Sequence, residues 1–229
     1  MSIAERIAVV QDNIRRAQAN SPLASRNVLL LAVSKTRDAD MIIAAQQAGL
    51  NDFGENKVQE LTEKFEQVPG ASWHLIGHLQ TNKVKYIIGK TTLIHSLDSI
   101  GLASEIEKRS AQANLITEVL IQLNIAEEDT KSGLHVTQLS SFIDEMRAYP
   151  HVKVKGLMTI GPNVDDNDKI RPVFAELRDL FIRERKRDCP HCDWQFLSMG
   201  MSSDYWIAVE EGANIVRVGS SIFGDRQYI

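Results

Sequence analysis

The sequence predicts an α/β fold, a (β/α)8 TIM-like barrel with an extra N-terminal helix, built as one domain over residues 1–229. Three observations predict it. Eight strand-like segments occur, near residues 30, 52, 75, 95, 120, 156, 197 and 217. Stretches of helical periodicity separate them throughout. That alternation argues for a parallel sheet with helices outside, and eight units argue for closure. No shift in composition marks a second domain, and α/β barrels of this length fold undivided. An open, doubly wound sheet competes, but no Gly-x-Gly-x-x-Gly follows the first run.

The elements follow in order. Ile3, Ile7, Val10 and Ile14 share one helical face, and Ser2 with Glu5 has the capping-box spacing. Ser21-Pro22 ends that helix. Val28 to Val33 is six consecutive apolar residues, a strand buried on both faces, and it stops at Ser34-Lys35-Thr36. Asp38 or Asp40 starts the next helix, which Gly49 stops. A short strand reaches Phe53-Gly54-Glu55-Asn56, and a helix runs from about Lys57 to Gln67. Pro69-Gly70 turns the chain into Trp73 to Gly77. A helix over Thr81–Ile88 precedes Leu93 to Leu97. Helices over Ile100–Ala113, Thr137–Tyr149, Asp168–Arg187 and Asp204–Glu211 separate the strands Ile116–Ile125, Val152–Ile160, Gln195–Met199 and Ile215–Val218.

Composition narrows the function. The net charge is -4 and charged residues make up 24%, so nothing attracts nucleic acid or an anionic membrane in general. Cys189 and Cys192 are too few for a disulfide framework and fit a reducing compartment. Glu5, Arg6 and Asp12 interrupt the N-terminus, so no signal-peptide core is present, and no apolar run is long enough for a membrane span. A cytoplasmic protein is expected.

In a barrel, the active-site groups sit at the carboxyl ends of the strands. Those ends carry Lys35, Glu55-Asn56, Gly77-His78, Ser96, Asn124, Met158, Ser198-Met199-Gly200 and Arg217 to Ser221. An amine at the mouth of an apolar strand is held from bulk water, which favours its neutral, nucleophilic form. The turns Met199 to Asp204 and Gly219-Ser220-Ser221 are small and rich in donors, and loops after strands seven and eight are where barrels hold phosphate. Arg217 alternates with Val216 and Val218, so it points either into the barrel or toward the helices, and in a core it needs an acceptor. A lysine, an anion cradle and an arginine between them suit pyridoxal 5'-phosphate.

At these residues the chain resembles the pyridoxal phosphate homeostasis proteins, single-barrel relatives of alanine racemase. The matching segments are Leu31 to Thr36, Phe53 to Asn56, Trp73 to Lys83, Lys131-Ser132-Gly133, Lys155 to Met158, Leu197 to Ser202 and Val216 to Gly219. They span nearly the whole chain. The resemblance implies pyridoxal 5'-phosphate as cofactor and Lys35 as its Schiff-base lysine. It further implies that Ser202, Gly219 and Ser220 contact the phosphate, that Arg217 points inward to the ring nitrogen, and that Asn56 and Met199 line the pocket. Ser220-Ser221 stands where relatives often carry threonine, so a hydroxyl is retained. Tyr205-Trp206 is bulkier than expected and reads as packing on the outer helix.

The expected function is to hold the cofactor for intracellular homeostasis and delivery to apoenzymes, without amino-acid turnover and with no catalytic residue of its own. The alternative is a racemase-like enzyme. Racemases of this type use a second base, commonly a tyrosine from a further domain or partner chain, and here only Tyr228 offers a stand-in. An arginine at the ring nitrogen also weakens the ring as an electron sink. A monomer is expected, with neither nucleic acid nor membrane as partner.

Other motifs read as structure. His74 and His78 are core and rim residues, with no third ligand for a metal. Cys189-Pro190-His191-Cys192 has the C-x-x-C form, but it leads into a strand instead of opening a helix, which is the wrong context for redox catalysis. The loop from Ala126 to Gly133 is a solvated segment placed where gating is conceivable, and its Lys131 is open to a second aldehyde. Arg183 to Arg187 is a solvated helix end.

Overall fold

The computed structural model describes residues 1–21, 27–126, 132–164 and 166–224. Tyr228, Lys131 and most of the acidic loop lie outside the described residues. The eight strands are β1 (Leu29–Val33), β2 (Asp52–Glu55), β3 (Ser72–Leu75), β4 (Leu93–Leu97), β5 (Thr117–Leu123), β6 (Val152–Thr159), β7 (Cys192–Ser198) and β8 (Ile215–Val218). They form a closed barrel in sequence order, all parallel, sealed where Leu31 of β1 pairs with Arg217 of β8. The helices are α1 (Ile3–Gln18), α2 (Ala39–Gln47), α3 (Val58–Gln67), α4 (Ile100–Gln112), α5 (Leu139–Glu145), α6 (Asn167–Glu184), α7 (Tyr205–Glu210) and α8 (Ser220–Phe223). The expected fold class is the observed one.

Alternation along each strand sorts the core into two layers. Leu31, Leu93, Leu120, Met158 and Ile215 fill the barrel interior. Their neighbours Leu30, Ala32, Ile94, Ile121, Leu157 and Val216 face outward into the layer shared with the helices. This explains the unbroken apolar run of β1: both of its faces are covered. Outside the barrel, α1 packs on α7 and α8 through Ile7, Val10, Ile14 and Ala17. Its start is the expected capping box, with Glu5 N donating to Ser2 Oγ at 3.2 Å and Ser2 N donating to Glu5 Oε2 at 2.7 Å.

Several details differ from expectation. The segment expected as a helix over Thr81–Ile88 is a 3-10 turn, Thr81–Tyr86, anchored by Val84 alone. Connectors this short commonly take the tighter 3-10 form. The helix expected over Thr137–Tyr149 is α5 flanked by 3-10 turns at Val136–Gln138 and Met146–Ala148. Cys189 and Cys192, expected as thiols, are joined in a disulfide. The turn before β7, in which Cys192 N donates to Cys189 O, brings their Cα atoms within 5.2 Å, inside bonding range. Tyr205 packs inward as expected and its hydroxyl accepts from Asn13 Nδ2 of α1, while Trp206 is partly exposed. No described helix is long and apolar enough to cross a membrane.

Candidate cofactor site

Lys35 lies two residues beyond the end of β1, and the residues on either side of it are tied to α3. Ser34 turns outward, and its hydroxyl donates to Glu55 Oε1 at 2.7 Å. Lys64 Nζ donates to Ser34 O at 2.8 Å and to Glu55 Oε1 at 2.7 Å. Thr36 takes the left-handed conformation, with φ 64°, and its N–H donates to Glu60 Oε2 at 2.7 Å. With Ser34 outward, strand parity sends the partly buried Lys35 to the inner side, where it lines a cavity of about 550 Å³ at the carboxyl ends of the strands. That volume suits a small-molecule site.

Arg217 enters the same cavity from β8 and is 4% exposed. Its Nη1 donates to Ser198 Oγ at 2.8 Å and its Nη2 to Thr159 O at 2.9 Å. Burial pulls its pKa down to about 10, against the attraction of Asp204, so it stays charged at neutral pH. Both partners are neutral, and among the described residues no carboxylate hydrogen-bonds to the guanidinium. Its charge therefore remains available to an acceptor in the cavity.

The turns after β7 and β8 are clipped together. Gly219 N donates to Ser202 Oγ at 3.0 Å. The amides of Ser202 and Ser203 engage no hydrogen bond among the described residues and border the cavity with Ser220. A Cβ at Gly219 would come within 3.3 Å of Val33 O, so glycine there lets β8 run close to β1 beside Lys35. An amine, a charged guanidinium and a turn with spare N–H and O–H donors match the aldehyde, ring nitrogen and phosphate of pyridoxal phosphate. The residues present fit that group.

Six of the seven residues singled out in the sequence line this one cavity: Lys35, Asn56, Ser202, Arg217, Gly219 and Ser220. Met199 does not. Ser198 points inward to Arg217, so parity turns Met199 outward into the layer beneath the helices, where it is fully buried. Glu55 is likewise turned away from the central volume, toward α3. Met158 lies within the barrel core instead of at its rim.

The sequence reading passed over Arg37, Gln122 and Ser132 as wall residues. Gln122 shares the inward face of β5 with Leu120, a period-two signal present in the sequence, and its Nε2 donates to Ser132 O at 2.7 Å. Arg37 carried no comparable signal. His78 stands on the rim, 3.4 Å from Asp98, whose pKa burial raises against the pull of His78. His74 is inside the barrel and makes no metal pair with it. Among the described residues, the three metal-ligand residue types that come together are Cys189, His191 and Cys192, away from this cavity, and the two thiols are spent in the disulfide.

Comparison with known proteins gives the chain's family. Residues 6–227 match the family model for the alanine racemase N-terminal domain. The chain is 42% identical over 233 residues to the pyridoxal phosphate homeostasis protein of Aquifex aeolicus, covering 100% of both chains. It superposes on PipY of Synechococcus elongatus without pyridoxal phosphate at a TM-score of 0.86 and 32% identity, covering 97% of this chain and 100% of that one. On PipY with pyridoxal phosphate bound the TM-score is 0.83, at the same identity and coverage. With its length matched from end to end by such relatives, the chain belongs to the alanine racemase N-terminal domain family, in the branch of the pyridoxal phosphate homeostasis proteins.

Proposed function

We propose that this protein binds pyridoxal 5'-phosphate on the amine of Lys35 and serves its homeostasis, holding the cofactor for apoenzymes without turning over amino acids itself. The observation that carries the reading is the convergence of Lys35, Arg217 and the Ser202–Gly219 clip on one cavity. When bound, the cofactor supplies an aldehyde carbon that condenses reversibly with a primary amine. Lys35 presents that amine from a loop held at both flanks. Ser202, Ser203 and Ser220 direct donors to the phosphate, and Asn56 borders the ring. Arg217 faces the ring nitrogen with donors only, so it delivers a hydrogen bond but readily gives up no proton. That arrangement limits electron withdrawal into the ring and favours storage over carbanion chemistry.

The test is direct. Purified protein mixed with pyridoxal phosphate gains a visible absorbance band, and borohydride fixes the label to the Lys35 peptide. The Lys35→Ala variant stays colourless. A loaded protein then restores activity to a pyridoxal-phosphate-dependent apoenzyme. Label on another residue sinks the assignment of Lys35, and steady racemisation of an amino acid by the purified protein sinks the non-catalytic reading.

A further inference from the structure

Side chains form a continuous line of hydrogen bonds through the barrel, from its amino-terminal face to the cavity. Asp52 opens β2 at that face, with a side chain 27% exposed. Its Oδ1 lies 3.2 Å from His74 Nε2. His74 Nδ1 lies 2.9 Å from His95 Nε2, and His95 Nδ1 lies 2.9 Å from Ser198 Oγ. Ser198 Oγ accepts from Arg217 Nη1 at 2.8 Å. His74, His95 and Ser198 are all buried, in an interior otherwise filled by leucine, isoleucine and methionine.

The two ends of the line dictate its direction. A carboxylate only accepts and a guanidinium only donates. Asp52 therefore takes the proton on His74 Nε2. With its single proton on Nε2, the His74 ring accepts at Nδ1, and His95 donates to it from Nε2. Burial, with the nearby charge of Arg217, holds the His95 pKa well below the ordinary value, so this ring is neutral and accepts at Nδ1. Ser198 must donate there, which leaves its lone pairs to Arg217. Every link points the same way, from the guanidinium to the carboxylate. With His74 in the opposite tautomer, its Nδ1–H would face the His95 Nε2–H and its bare Nε2 the Asp52 carboxylate; with His95 alone in the opposite tautomer, two bare ring nitrogens would face each other in an apolar core.

Ser198 and Thr159 O alone would pair the guanidinium. The line nevertheless continues through two imidazoles to a group in contact with water. We propose that Asp52, His74, His95 and Ser198 are positioning residues whose fixed bond direction holds Arg217 toward the cofactor ring, so that the far face of the barrel tunes the ring nitrogen. This rests on the reading of the cavity as a pyridoxal phosphate site.

The test uses Asp52→Ala, at the partly exposed end, and His95→Phe, which cuts the line in the core. In the cofactor-free wild type, nitrogen-15 NMR is expected to show both His74 and His95 as Nε2–H tautomers. In D52A the His74 ring is expected to redistribute between tautomers. In loaded protein both variants keep borohydride-fixed label on Lys35 at wild-type stoichiometry, while the visible band and the nitrogen-15 shift of the ring nitrogen move. A merely structural role changes the unfolding midpoint and leaves that shift unmoved. An Nδ1–H tautomer at either histidine in the wild type overturns the proposal. So does a ring-nitrogen shift identical in the wild type and D52A, a readout that stands even if H95F fails to fold. A wild type that takes up no cofactor sinks the reading of the cavity instead, and the cofactor-free spectrum still decides the direction of the line.

Discussion

Lys64 and Glu55 meet at 2.7 Å in the wall between α3 and β2, and the same ammonium reaches the carbonyl of Ser34 at 2.8 Å. The residue before Lys35 thus hangs from a helix, and the residue after it, Thr36, is tied to Glu60 one turn earlier on that helix. A nucleophilic amine on a loop is only as well placed as the loop, and here rigid elements fix both of its flanks. The arrangement has an electrostatic tension. Burial pushes the Glu55 carboxyl up, and only then do Lys64 and Ser34 pull it back down.

Lys64→Met therefore leaves a buried carboxylate without its cation. The expected destabilisation at pH 7 is about 3–5 kcal/mol, with weaker cofactor retention because Ser34 is released. The sign of the pH dependence follows from the raised pKa of Glu55. Its neutral form suits the folded state, so the K64M deficit shrinks as pH falls toward the ordinary carboxyl value of 4.5. Urea titrations at pH 5 and pH 7 check this. A double variant with Glu55→Gln is expected to be more stable at pH 7 than K64M alone.

Ser202→Ala removes the acceptor of the Gly219 amide and, on the proposed function, a donor to the phosphate. A hydrogen bond to a charged group contributes about 1.5–3 kcal/mol, so affinity for pyridoxal phosphate is expected to fall by about 10- to 150-fold. Pyridoxal, which lacks the phosphate, is expected to bind the variant and the wild type alike. Calorimetric titration with both compounds checks it, and equal losses for the two would place Ser202 away from the phosphate.

Much of this was legible in the chain. The apolar run of β1 ending in Lys35 announced a strand covered on both faces, and Val216-Arg217-Val218 announced an arginine opposed to its neighbours. What sequence alone leaves open is parity and pairing. Met199 lies one residue beyond Ser198, and one residue reverses the face. The partners His74 and His95 meet only because β3 and β4 are adjacent in a particular register. Lys64 sits among Glu63 and Glu66, a pattern that reads as a solvated helix face. Nothing local says that this lysine is the one turned under the sheet.

Gly200 carries the turn that presents Ser202. Its φ is 91°, and an added Cβ would lie 2.6 Å from Ala208 Cβ and 2.9 Å from Tyr205 Cα. Neither neighbour is the far end of a flexible side chain. Gly200→Ala is expected to cost about 2–4 kcal/mol and to shift α7 relative to β7. Thermal unfolding measures the first effect. Loss of the Ser202–Gly219 contact, seen as faster amide exchange at Gly219, measures the second.

Glu184 closes α6 against α5, and its side chain is 1% exposed. Burial alone would raise its pKa, but hydrogen bonds from Arg187, Arg183 and Ser140 outweigh that and lower it. The arginines are 32% and 56% exposed, so the pairing is screened and is worth less than a fully buried one. Glu184→Gln is expected to cost about 2 kcal/mol at pH 7, between the surface and buried limits. A depressed pKa contributes stability that is present above the unfolded value of 4.5 and lost as pH falls through the folded one. The gap between the wild type and E184Q should accordingly be full at pH 7 and close progressively below pH 4.5, as Glu184 takes up its proton. The cofactor cavity lies at the strand ends and shares no residue with this cluster, so cofactor affinity at pH 7 is expected to be unchanged. A gap that persisted into acid would mean that Glu184 holds the helices by shape and not by charge.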